Sequence, residues 1–380
     1  MKNVSLILPS YNNIQHLKNA YRSIRKFYPA IELVLLDDGS TDETKDWLNE
    51  LNDDYVIKYR SDNRVGHTIL YDKGISLATG KIVGILHADM IIGPNYLENL
   101  VKHLQPLRVV CATRIEPPLH PEGREKIIKD FGMDFDSLDV KAFEAFAAQM
   151  QTEHVDRTTK GMFAPWLLYK EDFQAIGGHD PLFAPFPYED SDIFQRWLLN
   201  GYELIQSRDS FVYHLTCRGH RWTGEVGKDD DYFKAASYKA GRNYLRKWGS
   251  WVKNDDYQHP AIVPKYDIGI SVKNCTAQLL QLLEPWSTTI YPDIPFEEYI
   301  VQESTITSYN LSGRVKPYGN KKENEIIVDI NGNNFQQPDF QLLQQLPQII
   351  KDNGEVGEFT LGNLQIKIIE MNEYQDTLIN

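Results

Sequence analysis

The chain opens with an apolar run, Val4 to Leu8, followed by a stretch in which Ile14, Leu17, Tyr21, Ile24 and Phe27 fall at helical spacing and Pro29 stops the pattern. A second apolar run, Ile31 to Leu36, comes next. A helical stretch through Trp47, Leu48 and Leu51 then leads to a strand pattern at Val56 to Tyr59. Another helix ending near Gly80 precedes Ile82 to Leu86, Pro94 opens a further helix, and Val109 to Thr113 reads as a strand. Apolar strands alternating with helices predict an α/β fold, a mostly parallel sheet with helices on both faces.

Residues 115–160 break this rhythm with Pro117, Pro118 and Pro121, then show helical patterns around Ile127 to Phe131 and Val140 to Met150. They read as an insertion able to shape an acceptor site. Trp166 to Tyr169 resumes the strand pattern, Gly177-Gly178 marks a turn, Glu189 to Leu199 a helix, and Phe211 to His214 a strand. A loop rich in glycine and charge and a helical extension, 215–252, complete a first domain of residues 1–252. From 253 to 380 the composition shifts toward glutamine and asparagine, which predicts a smaller α+β module. Its pattern is strand Ile268 to Val272, helix Ala277 to Leu283, strand Thr288 to Tyr291, strand Ile326 to Ile330, helix Phe340 to Ile350, and a hairpin from Glu358 to Ile369. This module carries no chemical motif; it is a candidate for setting a homo-oligomeric state or for holding an acceptor.

A length of 380 residues suits one large α/β domain plus such a module. The formal net charge of −13 opposes binding to nucleic acid or anionic lipid by bulk electrostatics. An anionic ligand must therefore be met locally, by a cation or a few basic side chains. Cys111, Cys217 and Cys275 lie too far apart for a metal module or a disulfide framework, which fits a reducing, cytoplasmic setting. Val4 to Leu8 is too short for a signal-peptide core, and no run approaches membrane-spanning length.

Candidate chemistry gathers at two turns. Pro9-Ser10-Tyr11-Asn12-Asn13 and Asp37-Asp38-Gly39-Ser40-Thr41-Asp42 each follow a buried strand, which places both at the carboxyl edge of a parallel sheet, where open α/β folds bind ligands. Asp38 then faces a ligand. The same residues equally support a plain turn with Ser40 and Glu43 as a helix capping box.

With Leu86-His87-Ala88-Asp89 and with Gly177-Gly178 through Tyr188-Glu189-Asp190, these turns make an ordered set of four segments that resembles a family 2 glycosyltransferase of the GT-A fold, the Rossmann-like nucleotide-diphospho-sugar transferase architecture. The resemblance covers about the first 225 residues. It implies a nucleoside-diphosphate sugar donor, linked to UDP, GDP or dTDP, and a hydroxyl acceptor. By resemblance, Pro9 shapes the first turn, Tyr11 lies beside the base and Asp38 hydrogen-bonds it. Asp89 matches the metal-binding carboxylate and His214 its partner, for Mn2+ or Mg2+. Asp190 matches the catalytic base, with Glu189 orienting the acceptor. Gly177 and Gly178 permit a close backbone approach, and Arg218, His220 and Arg221 close over the diphosphate. The implied reaction is inverting, a single in-line displacement.

The chain departs from the resembled pattern in places. His87 stands for an aspartate and is assigned to ribose or phosphate, not to the metal, and Met90 replaces a commonly acidic residue. Tyr71-Asp72-Lys73-Gly74 stands where Arg-Asn precedes a glycine. Gln195-Arg196-Trp197 is only similar to the signature of processive synthases, which the lack of membrane helices disfavours. A non-catalytic carbohydrate-binding or assembly protein on a degenerate scaffold is the main alternative, and a sugar nucleotidyltransferase lacks its glycine-rich basic loop here.

Overall fold

The structure is a computed structural model and describes residues 3–218, 221–222, 225–374 and 379. The chain divides into two compact units, one of residues up to Ser237 with Asn254–Ala261, the other of Tyr238–Lys253 with the residues from Ile262 onward. The stretch from Tyr238 to residue 252, assigned by sequence to the first domain, therefore packs with the second unit.

In the first unit, β1 (Val4–Ser10), α1 (Ile14–Phe27), β2 (Glu32–Asp37), α2 (Thr44–Glu50), β3 (Val56–Arg60), α3 (His67–Leu77) and β4 (Ile82–Ile85) follow the predicted alternation. β5 (Met90–Ile92), α4 (Tyr96–Val101), β6 (Arg108–Glu116), β7 (Lys126–Ile128), α5 (Val140–Glu153) and β8 (Thr158–Thr159) come next. β9 (Trp166–Tyr169), α6 (Lys170–Ala175), α7 (Glu189–Leu199) and β10 (Glu203–His214) complete it. The strand order is β3-β2-β1-β4-β9-β6-β10-β5, with β7 beside β6 and β8 beside β10. β3, β2, β1 and β4 are parallel, β6 and β10 are parallel, and β9 and β5 run against their neighbours.

Strand alternation explains the two-sided core. Leu6 and Leu8 join Leu17, Ile24, Leu33 and Leu35 on one face, while Ile7 joins Val34, Leu36, Leu70 and Ile75 on the other. Gly74 lets α3 lie flat on this second face: a Cβ there would come within 2.5 Å of Ile7 and 2.7 Å of Leu36. Pairing puts Pro9 beside Leu36 and Ser10 beside Asp37, so the turns after β1 and β2 emerge side by side.

Three local expectations are corrected. Ile127 belongs to strand β7, not to a helix; Phe131 beyond it joins Phe143 and Tyr213 in an aromatic cluster, and Gly132 follows with φ +118. β10 begins at Glu203, well before Phe211, because buried Gln206, Ser207, Asp209 and Ser210 form a polar stretch with a register shift and find partners in Thr113, Asn99, Lys102 and Tyr96. The capping box of Ser40 and Glu43 is not formed. Ser40 Oγ instead accepts from Asn12 N–H at 2.9 Å, and Asp42 accepts from Thr44 N–H at 3.0 Å.

Helix α8 (Asp231–Trp248) carries the chain into the second unit. That unit holds β11 (Ile268–Lys273), α9 (Ala277–Leu283), β12 (Thr289–Pro292), α10 (Glu297–Glu303), α11 (Leu311–Arg314), β13 (Ile326–Asn331), α12 (Gln337–Asn353), β14 (Gly357–Leu361) and β15 (Leu364–Ile368). The sheet order is β12-β11-β13-β15-β14, parallel through β12, β11 and β13 and then antiparallel. No helix among the described residues is long and apolar enough to cross a membrane.

Under this sheet's apolar core sits a buried ion cluster. Glu284, fully enclosed, accepts from Arg246 at 2.6 Å, Arg314 at 2.7 Å and Tyr299 at 2.8 Å, while Glu303 accepts from Arg242 and also from Arg246. Burial alone would raise the Glu284 carboxyl, yet Arg314 and Arg246 lower it to about 2. Its stabilisation is therefore present above its ordinary value of 4.5 and fades as pH falls toward 2. Glu284→Gln should cost about 3–5 kcal/mol in urea unfolding at neutral pH, because buried guanidinium charge loses its partner. A loss near that of an exposed pair, under about 1 kcal/mol, would contradict this account.

Candidate active site

The carboxyl edge of the first sheet gathers the sequence-predicted residues from separate strands. Asn12, with φ +47, ties the first two turns together: its Oδ1 accepts from Thr41 N–H at 2.7 Å while its own N–H reaches Ser40. Asp37, wholly buried, accepts from Ser40 N–H and pairs with Arg60. Asp38 is buried as well, and its carboxylate accepts from Val65 N–H at 2.7 Å and Gly66 N–H at 2.9 Å. Burial nevertheless leaves its carboxyl raised. Asp38 thus braces the loop leading into α3. Beside Tyr11 the structure places a residue that sequence reasoning passed over. The Arg64 guanidinium lies 4.0 Å from the Tyr11 ring and 4.2 Å from that of Tyr232.

A cradle for a cation lies at the ends of β4, β5 and β10. Antiparallel pairing sets His214 opposite Met90, the start of β5, which brings His214 Nε2 to 3.6 Å from Asp89 Oδ1. Met90 itself points into the core, which accounts for its apolar character. His87 completes the group: one ligand atom each from His87, Asp89 and His214 fall within 4.8 Å of one another. The sequence reading assigned His87 to ribose or phosphate; in the structure its imidazole lies within reach of the same point as Asp89 and His214. Burial, and then the charge of His214, keep the His87 imidazole well below its ordinary pKa and so neutral, the form that offers a lone pair.

Glu116, at the end of β6, was not singled out from sequence because it is 98 residues from its partner. Its Oε1 lies 3.0 Å from His214 Nδ1, and Arg114 and Lys126 also pair with it. Burial would raise this carboxyl, but the His214 hydrogen bond and the Arg114 charge hold it far below the usual range. A carboxylate on Nδ1 turns Nε2 of the same ring toward Asp89, the arrangement typical of a metal-binding histidine.

The carboxylate pair stands at the start of α7. Tyr188, with φ +80, turns the chain so that Glu189 and Asp190 open the helix, where its dipole favours negative charge. Glu189 Oε1 lies 2.6 Å from Nε2 of His67, which opens α3 and stacks on Phe186 at 5.1 Å. Each partner resists burial: the Glu189 carboxyl would rise but is drawn down by His67, and the His67 imidazole would fall but is drawn up by Glu189. The result is an ion pair. Among the described residues Asp190 has no such partner. Burial first, and the Glu189 charge second, push its carboxyl up to about 7, although part of its surface still faces solvent in the cleft. Neighbouring carboxylates thus hold different protonation states, one fixed and one poised near neutrality.

Other expected contacts lie elsewhere. Gly178, at φ +76, admits Asp72 rather than a sugar, since a Cβ there would meet Asp72 Oδ2 at 2.2 Å. Asp72 also binds the next residue, with its Oδ1 2.6 Å from His179 Nδ1. The Arg218 N–H reaches Asp89 Oδ2 at 3.1 Å, but its guanidinium donates to Met133 O, and Arg221 pairs with Asp229 at 2.6 Å. His220 lies outside the described residues. Arg196 is enclosed with Asp192 at 2.7 Å and Trp197 is core, so Gln195-Arg196-Trp197 is a packing feature.

Residues 5–158 match the family described as Glycosyl transferase family 2. Validoxylamine A glucosyltransferase of Streptomyces hygroscopicus subsp. jinggangensis is 27% identical over 229 residues, 55% of this chain and 54% of that protein. Glycosyltransferase GlyG of Streptococcus pneumoniae is 31% identical over 105 residues, 27% of this chain and 35% of its own. The chain thus spans about half or less of the curated relatives it matches. Among solved structures, GalNAc-T7 with UDP, GalNAc and Mn2+ aligns at TM-score 0.46 and 18% identity over 68% of this chain and 49% of that one. The mannosyltransferase PcManGT from Pyrobaculum calidifontis with GDP-Man and Mn2+ aligns at 0.41 and 23% identity over 58% and 59%. The family match takes in both turns, His87 and Asp89, while Glu189, Asp190 and His214 lie beyond it. Residues 5–158 are a glycosyl transferase family 2 domain.

Proposed function

We propose that this protein is an inverting, metal-dependent glycosyltransferase that moves a sugar from a nucleoside diphosphate to a hydroxyl acceptor. The observation that carries the reading is a juxtaposition at one sheet edge. A cradle of His87, Asp89 and His214 adjoins the Glu189-Asp190 pair through one ring, since Tyr71 contacts both His87 and the His67 that pairs with Glu189. The glucosyltransferase relatives support a hexose as cargo.

His87, Asp89 and His214 would hold the divalent cation, their two imidazoles suiting Mn2+ better than Mg2+, and the cation would offset the negative charge of the departing diphosphate. The chain's own residues do the rest. Asp190, ionised, accepts the proton of the acceptor hydroxyl as that oxygen bonds to the anomeric carbon and the bond from that carbon to the diphosphate breaks. Glu189, kept ionised by His67, cannot take that proton in its place and instead holds α3 against the start of α7. Tyr11, Asp38 and the Arg64 loop line the place for the nucleoside, with UDP, GDP and dTDP as candidate carriers.

Asp190→Asn should lower kcat by about 10²–10⁴-fold with donor binding retained; undiminished turnover removes Asp190 from the mechanism. In the wild type, kcat/KM should climb with pH and level off above about 7, because the raised carboxyl is protonated, and idle as a base, below that point. A flat profile between about pH 5 and about pH 9 would contradict the assignment of the base, those bounds being about two units either side of a group of this kind. Asp89→Ala should abolish the thermal shift given by Mn2+ with nucleotide, and Glu116→Gln should weaken Mn2+ binding by about 10–100-fold. Retention of full Mn2+ affinity in both variants would place the cation elsewhere.

A further inference from the structure

Tyr71, one of the departures from the resembled pattern, stands between the two halves of the site. Its ring is 2% exposed and packs against three imidazoles: His67 at 5.3 Å, His179 at 5.5 Å, and His87 in a stacked contact at 6.3 Å and 18°. His87 belongs to the cation cradle and His67 to the carboxylate pair, so one phenol bridges both. Its phenol O–H is a hydrogen-bond donor. No described residue takes a hydrogen bond from that hydroxyl. Packing alone would be served as well by phenylalanine, whereas the phenol hydroxyl of a buried tyrosine usually has a hydrogen-bond partner.

In the proposed reaction the transferred sugar has one fixed position. Its anomeric carbon is bonded to a diphosphate on the cradle side and is approached by an oxygen from the Asp190 side. Whatever lies between cradle and base faces the sugar ring. We propose that the Tyr71 hydroxyl hydrogen-bonds the transferred sugar, so that Tyr71 recognises the sugar and not the nucleotide. This rests on the transferase reading above and assigns a contact to a residue type that the resemblance does not supply.

The test is titration calorimetry with Mn2+, comparing UDP with UDP-glucose, GDP with GDP-mannose and dTDP with dTDP-glucose, on the wild type and Tyr71→Phe. Phenylalanine keeps the ring and its three imidazole contacts. The ratio of nucleotide-sugar Kd to nucleotide Kd should rise about three- to tenfold in the variant, the worth of one neutral hydrogen bond, while the nucleotide Kd stays unchanged. An unchanged ratio overturns the Tyr71 assignment and leaves the transferase reading standing; no binding of any nucleotide by the wild type overturns both. Should Tyr71→Phe fail to fold, wild-type titrations with single deoxy-sugar donors take its place. One hydroxyl whose removal raises the ratio by the same factor supports the contact, and equal binding of every deoxy donor overturns it.

Discussion

Parallel pairing of β1 with β2 and β4 is the constraint on which the site depends. It makes both central strands buried on two faces, and it ends them together, so that polar turns are forced out along one edge. The edge then carries an unusual density of enclosed carboxylates: Asp37, Asp38, Asp89, Glu116 and Glu189. A carboxylate enclosed there is unfavourable without a partner. Each has one of a different kind: a guanidinium for Asp37, backbone N–H groups for Asp38, a backbone N–H with an imidazole for Asp89, an imidazole for Glu189, and two cations with an imidazole for Glu116. Asp190 has no ion-pair partner among the described residues, and burial together with the Glu189 charge raises its carboxyl while that of its neighbour is lowered.

Much of this was legible in the sequence because the strands are apolar on both faces and the turns are short. Val4 to Leu8, Ile31 to Leu36 and Trp166 to Tyr169 declared themselves by composition. Glu189 to Leu199 did so by helical spacing, and the helix Ala277 to Leu283 by its apolar periodicity. The exceptions share a cause. The start of β10 is polar because tertiary partners satisfy Gln206 and Asp209, and β7 is too short for a period to register. The site divided along the same line. Asp89, His214, Glu189 and Asp190 lie on elements whose ends the pattern marked. Glu116, His67 and Arg64 meet partners that only folding brings near, and no local signal distinguishes them from ordinary core and loop residues.

The departures from the resembled pattern are informative for the same reason. Asp72 is one of them, and it binds His179; Met90 is another, and it fills the core next to Asp89. A motif read one position at a time treats these as defects, whereas in space they are matched replacements.

Loop 177–188 is fastened to α3 at both ends. Asp72 grips it at His179, Thr68 binds Pro185 O, and Gly66 lets Pro185 approach so closely that a Cβ would come within 2.3 Å. The base of the cleft is thereby a single mechanical piece, joined through Asp38 to β2. Such a frame leaves the turn that presents Glu189 and Asp190 little freedom to move relative to β2.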